Sequence, residues 1–268
     1  MKVDKAYKNL DFLSSRDART LRILSEYLEP HSRFRHYNVR DTVVFFGSAR
    51  TLPADVARAR LEDARKTGVD EAIQRAESAV DMSRYYEDAR SLAYKMTQWS
   101  KGLAVPDWRF IVCSGGGPGI MEAANRGASE AKGMSVGLGI SLPLEATNNP
   151  FITRELAFEF HYFFMRKFWF VYLAKAVVVF PGGFGTMDEL FELMTLVQTR
   201  KTGKAMPIVL YGKEFWDEVL KIEALIKFGT ISPEDRRLYR VCSTPDEAFV
   251  YLRDELTSLY LDEGGADG

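Results

Sequence analysis

Apolar positions in this chain gather into short uninterrupted runs, separated by longer stretches rich in charge. The runs at 41–48 (DTVVFFGS), 109–114 (RFIVCS), 134–141, 176–180 (AVVVF) and 207–211 are rich in β-branched and aromatic residues and bounded by glycine or proline. Such runs predict strands buried on both faces, with a weaker one at 239–242. The stretches between them carry helical patterns. Pro53 opens a long helical region that reaches about Gly102 and breaks near Gly68. Its charges, among them Arg58, Arg60, Glu62, Asp63, Arg65 and Lys66, read as a solvated face. Further helices are predicted over 120–132, 187–200, 215–228 and 245–259, and the aromatic segment 158–173 is also read as helical.

Strands alternating with helices imply βαβ units. The fold class predicted is therefore α/β, a Rossmann-like, doubly wound parallel sheet with helices on both faces. Residues 1–38 are expected to form a helical arm that packs on the domain or on a partner subunit. Residues 39–260 form one nucleotide-binding catalytic domain in this reading, and 261–268 a flexible tail.

Composition narrows the class without naming a function. Of 268 residues, 46% are hydrophobic and 27% charged, which is ordinary for a globular chain able to bury a large core. A net charge of −1 gives no sign of a polyanion-binding surface, so no nucleic-acid partner is expected. Cys113 and Cys242 each lie in an apolar run, which argues against a disulfide framework or a cysteine metal site. The first residues lack an apolar leader and no run reaches the ~20 residues that span a membrane, so a cytoplasmic protein with no membrane partner is expected.

Three glycine turns follow three of the strands, at Gly47-Ser48, 115–119 and 182–185. Ligands of open parallel sheets bind outside the carboxyl ends of the strands, where such turns gather. A helix starting just after a glycine turn aims N–H groups and the positive end of its dipole at an anion. Three such turns on one chain favour a phosphate-bearing ligand, with Gly47, Ser48, Gly116, Gly117, Gly182, Gly183 and Gly185 as its cradle. Neither a Walker A pattern nor a G-x-G-x-x-G after the first strand is present, which weakens the NTPase and dinucleotide readings. In 181–189 (PGGFGTMDE), Thr186 and Glu189 stand three apart, as in a capping box at a helix start. The same spacing puts them on one helix face. A phosphate on the 182–186 amides would then sit close to the Glu189 carboxylate.

The pattern P-G-G-x-G-T-x-x-E at 181–189, the S-G-G-G-x-G-x-M turn at 114–121, Phe46-Gly47-Ser48, and Arg166-Lys167 twenty-three positions before Glu189 resemble the LONELY GUY (LOG) family of phosphoribohydrolases. The resemblance runs over about 40–230. It implies hydrolysis of a nucleoside 5′-monophosphate, AMP or a cytokinin riboside 5′-monophosphate, to free base and ribose 5-phosphate, with Arg166 and Glu189 catalytic. It further implies Lys167 and Thr195 near the substrate and Glu145 near the base; neither cofactor nor metal is expected. Such cleavage passes through an oxocarbenium-like cation, which needs a neighbouring anion and an oriented water. Glu189 would supply both, and Arg166 would clamp the phosphate or keep Glu189 ionised. For protonation of the leaving base, Glu122, Glu145 and unassisted departure all stay open. The longer arm, the longer 54–102 region and the aromatic 158–170 segment resemble the longer bacterial branch, which leaves the base open.

Other chemistry has weaker support. His31, His36 and His161 share no ligand spacing. The aromatics around His161 read as core or subunit interface rather than a platform for stacking a base. Lysine decarboxylation would need a pyridoxal phosphate lysine, and nothing local marks Lys167 or Lys175 as one. The competing class is a carrier of a nucleotide or of molybdenum cofactor on the same fold, which has no need of a carboxylate beside a sugar. Finally, the apolar density of 158–173 predicts a homodimer through that segment, with hexamers through the arm as an extension.

Overall fold

The apolar runs become the middle of one seven-stranded, all-parallel sheet in the computed structural model, which describes residues 5–103, 107–141 and 148–262. The strands are β1 (Thr42–Phe46), β2 (Ile111–Ser114), β3 (Ser135–Ile140), β4 (Ala157–Phe160), β5 (Ala174–Val179), β6 (Ile208–Tyr211) and β7 (Arg240–Cys242). Their order across the sheet is β4-β3-β2-β1-β5-β6-β7. The chain thus winds outward from β1 to one edge, crosses back to β5, and winds outward to the other. The switch point lies between β1 and β5, where such sheets open a crevice at their carboxyl ends.

The helices are α1 (Leu10–Ser14), α2 (Arg19–His36), α3 (Ala54–Thr67), α4 (Asp70–Lys101), α5 (Ile120–Glu130), α6 (Phe163–Tyr172), α7 (Phe184–Gln198), α8 (Lys213–Val219), α9 (Ile222–Lys227) and α10 (Pro245–Tyr260). Side chains of β1 alternate between two cores, as the strand period requires. Val43 and Phe45 join Tyr86, Leu92, Ile120 and Leu252 on the α4, α5 and α10 side. Val44 and Phe46 join Trp169, Phe170, Leu190 and Leu193 on the side of α2, α6 and α7. With both faces covered, β1 has no polar alternation to show, which is why its sequence reads as one apolar run. The predicted break at Gly68 is the left-handed residue that ends α3, with φ of 68°. Among the described residues, no helix is long and apolar enough to cross a membrane.

Three expectations need correction. Residues 158–173 are not one helix: Ala157–Phe160 is the edge strand β4, paired with β3, and α6 begins only at Phe163. Phe158 and Phe160 are buried while Glu159 between them is exposed, a period of two. The predicted helix 215–228 is two helices, parted at Leu220, whose backbone is extended. The helix predicted from 187 starts at Phe184. The arm packs on the chain's own sheet edge. Trp169 Nε1 donates to the Glu26 carbonyl at 2.9 Å, the amides of His161 and Tyr162 donate to the Glu26 carboxylate, and the Phe34 ring lies 4.9 Å from that of Phe158.

Candidate active site

The loops leaving β1, β2 and β5 meet at the switch point around a cleft of about 670 Å³. Each loop is shaped by a glycine requirement. A Cβ at Gly47 would come within 2.7 Å of the Ile120 side chain, so the β1 loop and the start of α5 pack only without one. The Ile120 amide donates to the Ser48 carbonyl at 3.1 Å, and the Arg50 amide donates to Ser48 Oγ at 3.1 Å. In the β2 loop Gly116 takes φ of 76°, a conformation that favours glycine. Asn149 Nδ2 donates to the carbonyls of Gly116 and Gly117, both at 3.1 Å. Ser114 Oγ donates to Asn125 and accepts from the Gly116 amide. A buried polar network thus holds this loop in one shape.

The β5 loop runs into α7. Gly183 is its N-cap residue, no side chain caps the helix, and its first turn carries no acidic residue. The first-turn amides therefore have neither an intrahelical carbonyl nor a capping oxygen, and the positive end of the dipole faces the cleft. This corrects the capping-box reading: Thr186 lies inside the helix, buried, and Gly182 leaves the room its hydroxyl occupies. Gly183 and Gly185 are open on the cleft side.

Arg166, Phe163 and Phe170 present one face of α6 to the cleft, at helical spacing. The Arg166 guanidinium is anchored: Nε donates to the Leu138 carbonyl at 2.7 Å, and its Cζ lies 5.1 Å from the centre of the Phe170 ring. It also abuts Gly115, where a Cβ would reach to 2.5 Å of its Nη2. Glu189 is 9% exposed on the opposite wall. Burial pushes its carboxyl upward, Lys167 and Arg166 pull it back down, and Glu192 adds to the rise. Burial by itself would lower the Lys167 ammonium, but hydrogen bonds to Asp188 and Glu192 and the charge of Glu189 more than reverse this.

The structure thus brings Gly47, Ser48, Gly117, Gly183, Gly185, Thr186, Arg166 and Glu189 to one cleft. Gly116 and Gly182 shape its loops without lining it, and Lys167 stands behind Glu189. Thr195 is not brought to it; it is exposed farther along α7, its hydroxyl donating to the Phe191 carbonyl at 2.7 Å. Glu122 also lies outside the cleft lining, accepting from the Tyr86 hydroxyl at 2.7 Å. Glu145 falls outside the described residues. Lys175 sits at the amino end of β5, away from the cleft, with its ammonium over the Tyr260 ring. The sequence reading missed Arg50, Met121 and the two cleft-facing aromatics, Phe163 and Phe170. Arg50 had one usable signal, a cation in the loop after the first strand of a parallel sheet.

Residues 121–252 match a family model described as a possible lysine decarboxylase. A pyrimidine/purine nucleotide 5′-monophosphate nucleosidase of Escherichia coli is 27% identical over 139 residues, 48% of this chain and 30% of that protein. A probable cytokinin riboside 5′-monophosphate phosphoribohydrolase of Oryza sativa subsp. japonica is 28% identical over 149 residues, 54% of this chain and 58% of its own length. The chain therefore spans less than two thirds of either curated relative. Among solved structures, the molybdenum cofactor binding protein of Rippkaea orientalis covers 82% of this chain and 99% of its own, at 16% identity with a TM-score of 0.49. The molybdenum cofactor carrier protein of Chlamydomonas reinhardtii covers 81% and 99%, at 17% identity with a TM-score of 0.48. Likeness at that level says nothing of chemistry.

Proposed function

The chain is a relative of the LONELY GUY (LOG) family, and from that premise we propose that it hydrolyses the N-glycosidic bond of a nucleoside 5′-monophosphate, AMP or a cytokinin riboside 5′-monophosphate. One observation carries the reading: an uncapped helix N-terminus and the buried carboxylate of Glu189 face the same cleft, one helical turn apart. The 5′-phosphate sits on the amides of Phe184, Gly185 and Thr186, with Arg50 and Arg166 as the cations within reach. This anchors the ribose with C1′ toward Glu189. As the bond to the base lengthens, positive charge grows on the sugar, and the carboxylate across from it lowers that barrier. The same carboxylate orients a water whose oxygen bonds to C1′, while the departing base gains a proton. The products are free base and ribose 5-phosphate.

The competing reading is a carrier of a nucleotide or of molybdenum cofactor. The buried Glu189 favours the hydrolase, because a carboxylate beside a bound anion only weakens a carrier's grip. A homodimer goes with the hydrolase reading. Phe160, Tyr162, Met165, Trp169 and Phe170 are already buried within the chain, yet Phe163, Phe164, Phe168 and Tyr172 remain between 36% and 51% exposed along α6. That is more aromatic surface than a monomer usually leaves in water. Incubation with AMP, followed by chromatography for free adenine, tests the function. Adenine and ribose 5-phosphate in equal amounts are expected; AMP recovered intact from a stable complex would support the carrier.

A further inference from the structure

Lys167 meets three carboxylates at once. Its Nζ lies 2.6 Å from Glu192 Oε2, 2.8 Å from Asp188 Oδ2 and 3.3 Å from Glu189 Oε1. The two shorter contacts go to the carboxylates with exposed or half-exposed side chains, and the longest goes to the buried one that faces the cleft. One partner would be enough to pin α6 to α7. Three carboxylates on one ammonium repel each other, and even with Arg166 nearby the cluster keeps an excess of negative charge.

We propose that Lys167 is a positioning residue divided among three carboxylates, and that Glu192 is the counterweight that keeps it from neutralising Glu189. This rests on the reading of Glu189 as the carboxylate facing the reacting carbon. The physical need is twofold. A buried carboxylate with no cation takes up a proton and loses its charge. One locked in a close ion pair keeps its charge but has it cancelled locally, so it stabilises a neighbouring cation less. An ammonium drawn partly away by Glu192 avoids both extremes. Asp188 contributes less, because its side chain is 61% exposed and water screens it, against 36% for Glu192 and 12% for Glu189. Among the described residues, Arg166 also acts on Glu189 as a charge, and Arg50 lines the same cleft.

The division of Lys167 predicts shifts of opposite sign. Lys167→Met removes the attraction, so the Glu189 carboxyl should titrate about one pH unit or more higher. Glu192→Gln removes a repulsion and frees Lys167 to close on Glu189, so the same carboxyl should titrate lower, by roughly half a unit. Lys167→Arg should stay close to the parent, and Asp188→Asn should move little. The readout is a carbon-13 NMR titration of side-chain carboxyls in the substrate-free protein, with the Glu189 signal identified by its loss in Glu189→Gln. The acid limb of the rate profile should move with it. A structural role alone does not produce opposite shifts from two partners of one cluster. Opposite shifts support the proposal; shifts of the same sign, or none, overturn it. Should Lys167→Met fail to fold, Glu192→Gln decides alone, and the absence of a downward shift overturns the proposal. Because the titration needs no substrate, a protein that cleaves no nucleotide would sink the proposed reaction while leaving this result readable.

Discussion

Glu189→Gln separates chemistry from architecture more cleanly than any other substitution in this chain. The glutamine keeps the size of the side chain and a carbonyl oxygen toward Lys167, and removes only the charge. Lys167 retains Asp188 and Glu192 at 2.8 and 2.6 Å, so the tie between α6 and α7 survives. No helix cap is lost, since the N-cap residue of α7 is Gly183 and not Thr186. The desolvation that raises the Glu189 carboxyl disappears with its charge. Stability should therefore change by no more than about 1 kcal/mol, or ~2–4 °C in Tm for a chain of this size. Catalysis should suffer far more. A unit charge about 4 Å from a developing cation is worth roughly 4 kcal/mol at an effective dielectric near 20, or about 10³ in rate. Lys167 at 3.3 Å offsets part of that field, which brings the expectation to roughly a 10²-fold loss of kcat. The assay is base release under saturating nucleotide, with thermal melting on the same sample. A variant that melts many degrees lower yet keeps its rate per folded molecule would return Glu189 to a structural role.

Other substitutions test the walls of the cleft. Arg50→Ala removes an exposed cation from the β1 loop, and steady-state kinetics should show KM rising roughly tenfold with kcat nearly kept; an unchanged KM would remove Arg50 from the phosphate site. Arg166→Ala removes the cleft cation anchored to the Leu138 carbonyl, leaving Arg50, so kcat/KM should fall by about 10²-fold and nucleotide binding by calorimetry should weaken. Light scattering at micromolar concentration should return about twice the 30.4 kDa chain mass, and Phe164→Glu should lower both mass and activity; a monodisperse, fully active monomer would contradict the assembly.

The strands around the switch point were legible because parallel strands covered on both faces show as unbroken apolar runs, and β1, β2 and β5 are of that kind. The strand β4 was not, because it is four residues long, lies at the edge, and is parted from an aromatic helix only by His161 and Tyr162. Its period of two is carried by Phe158, Glu159 and Phe160 alone. The glycine turns marked the loops that meet at the cleft, yet T-x-x-E at 186–189 imitated a capping box, and only backbone geometry shows Gly183 at the helix start. The family resemblance implies Lys167 near the substrate, beside Arg166. A helix directs adjacent residues about 100° apart, so Arg166 lines the cleft while Lys167 turns to α7. Arg50 carried only the weak signal of a cation after the first strand, since its place in the cleft comes from the chain crossing that brings the β1 and β5 loops together.

The central claim is that the cleft holds a nucleotide by its 5′-phosphate while Glu189 acts on the sugar, and a paired measurement of kcat/KM for AMP and adenosine addresses it most directly. If the start of α7, Arg50 and Arg166 hold the phosphate as proposed, AMP is preferred to adenosine by at least about 10²-fold, with ribose 5-phosphate formed one-for-one with adenine. Equal turnover of the two substrates would contradict it.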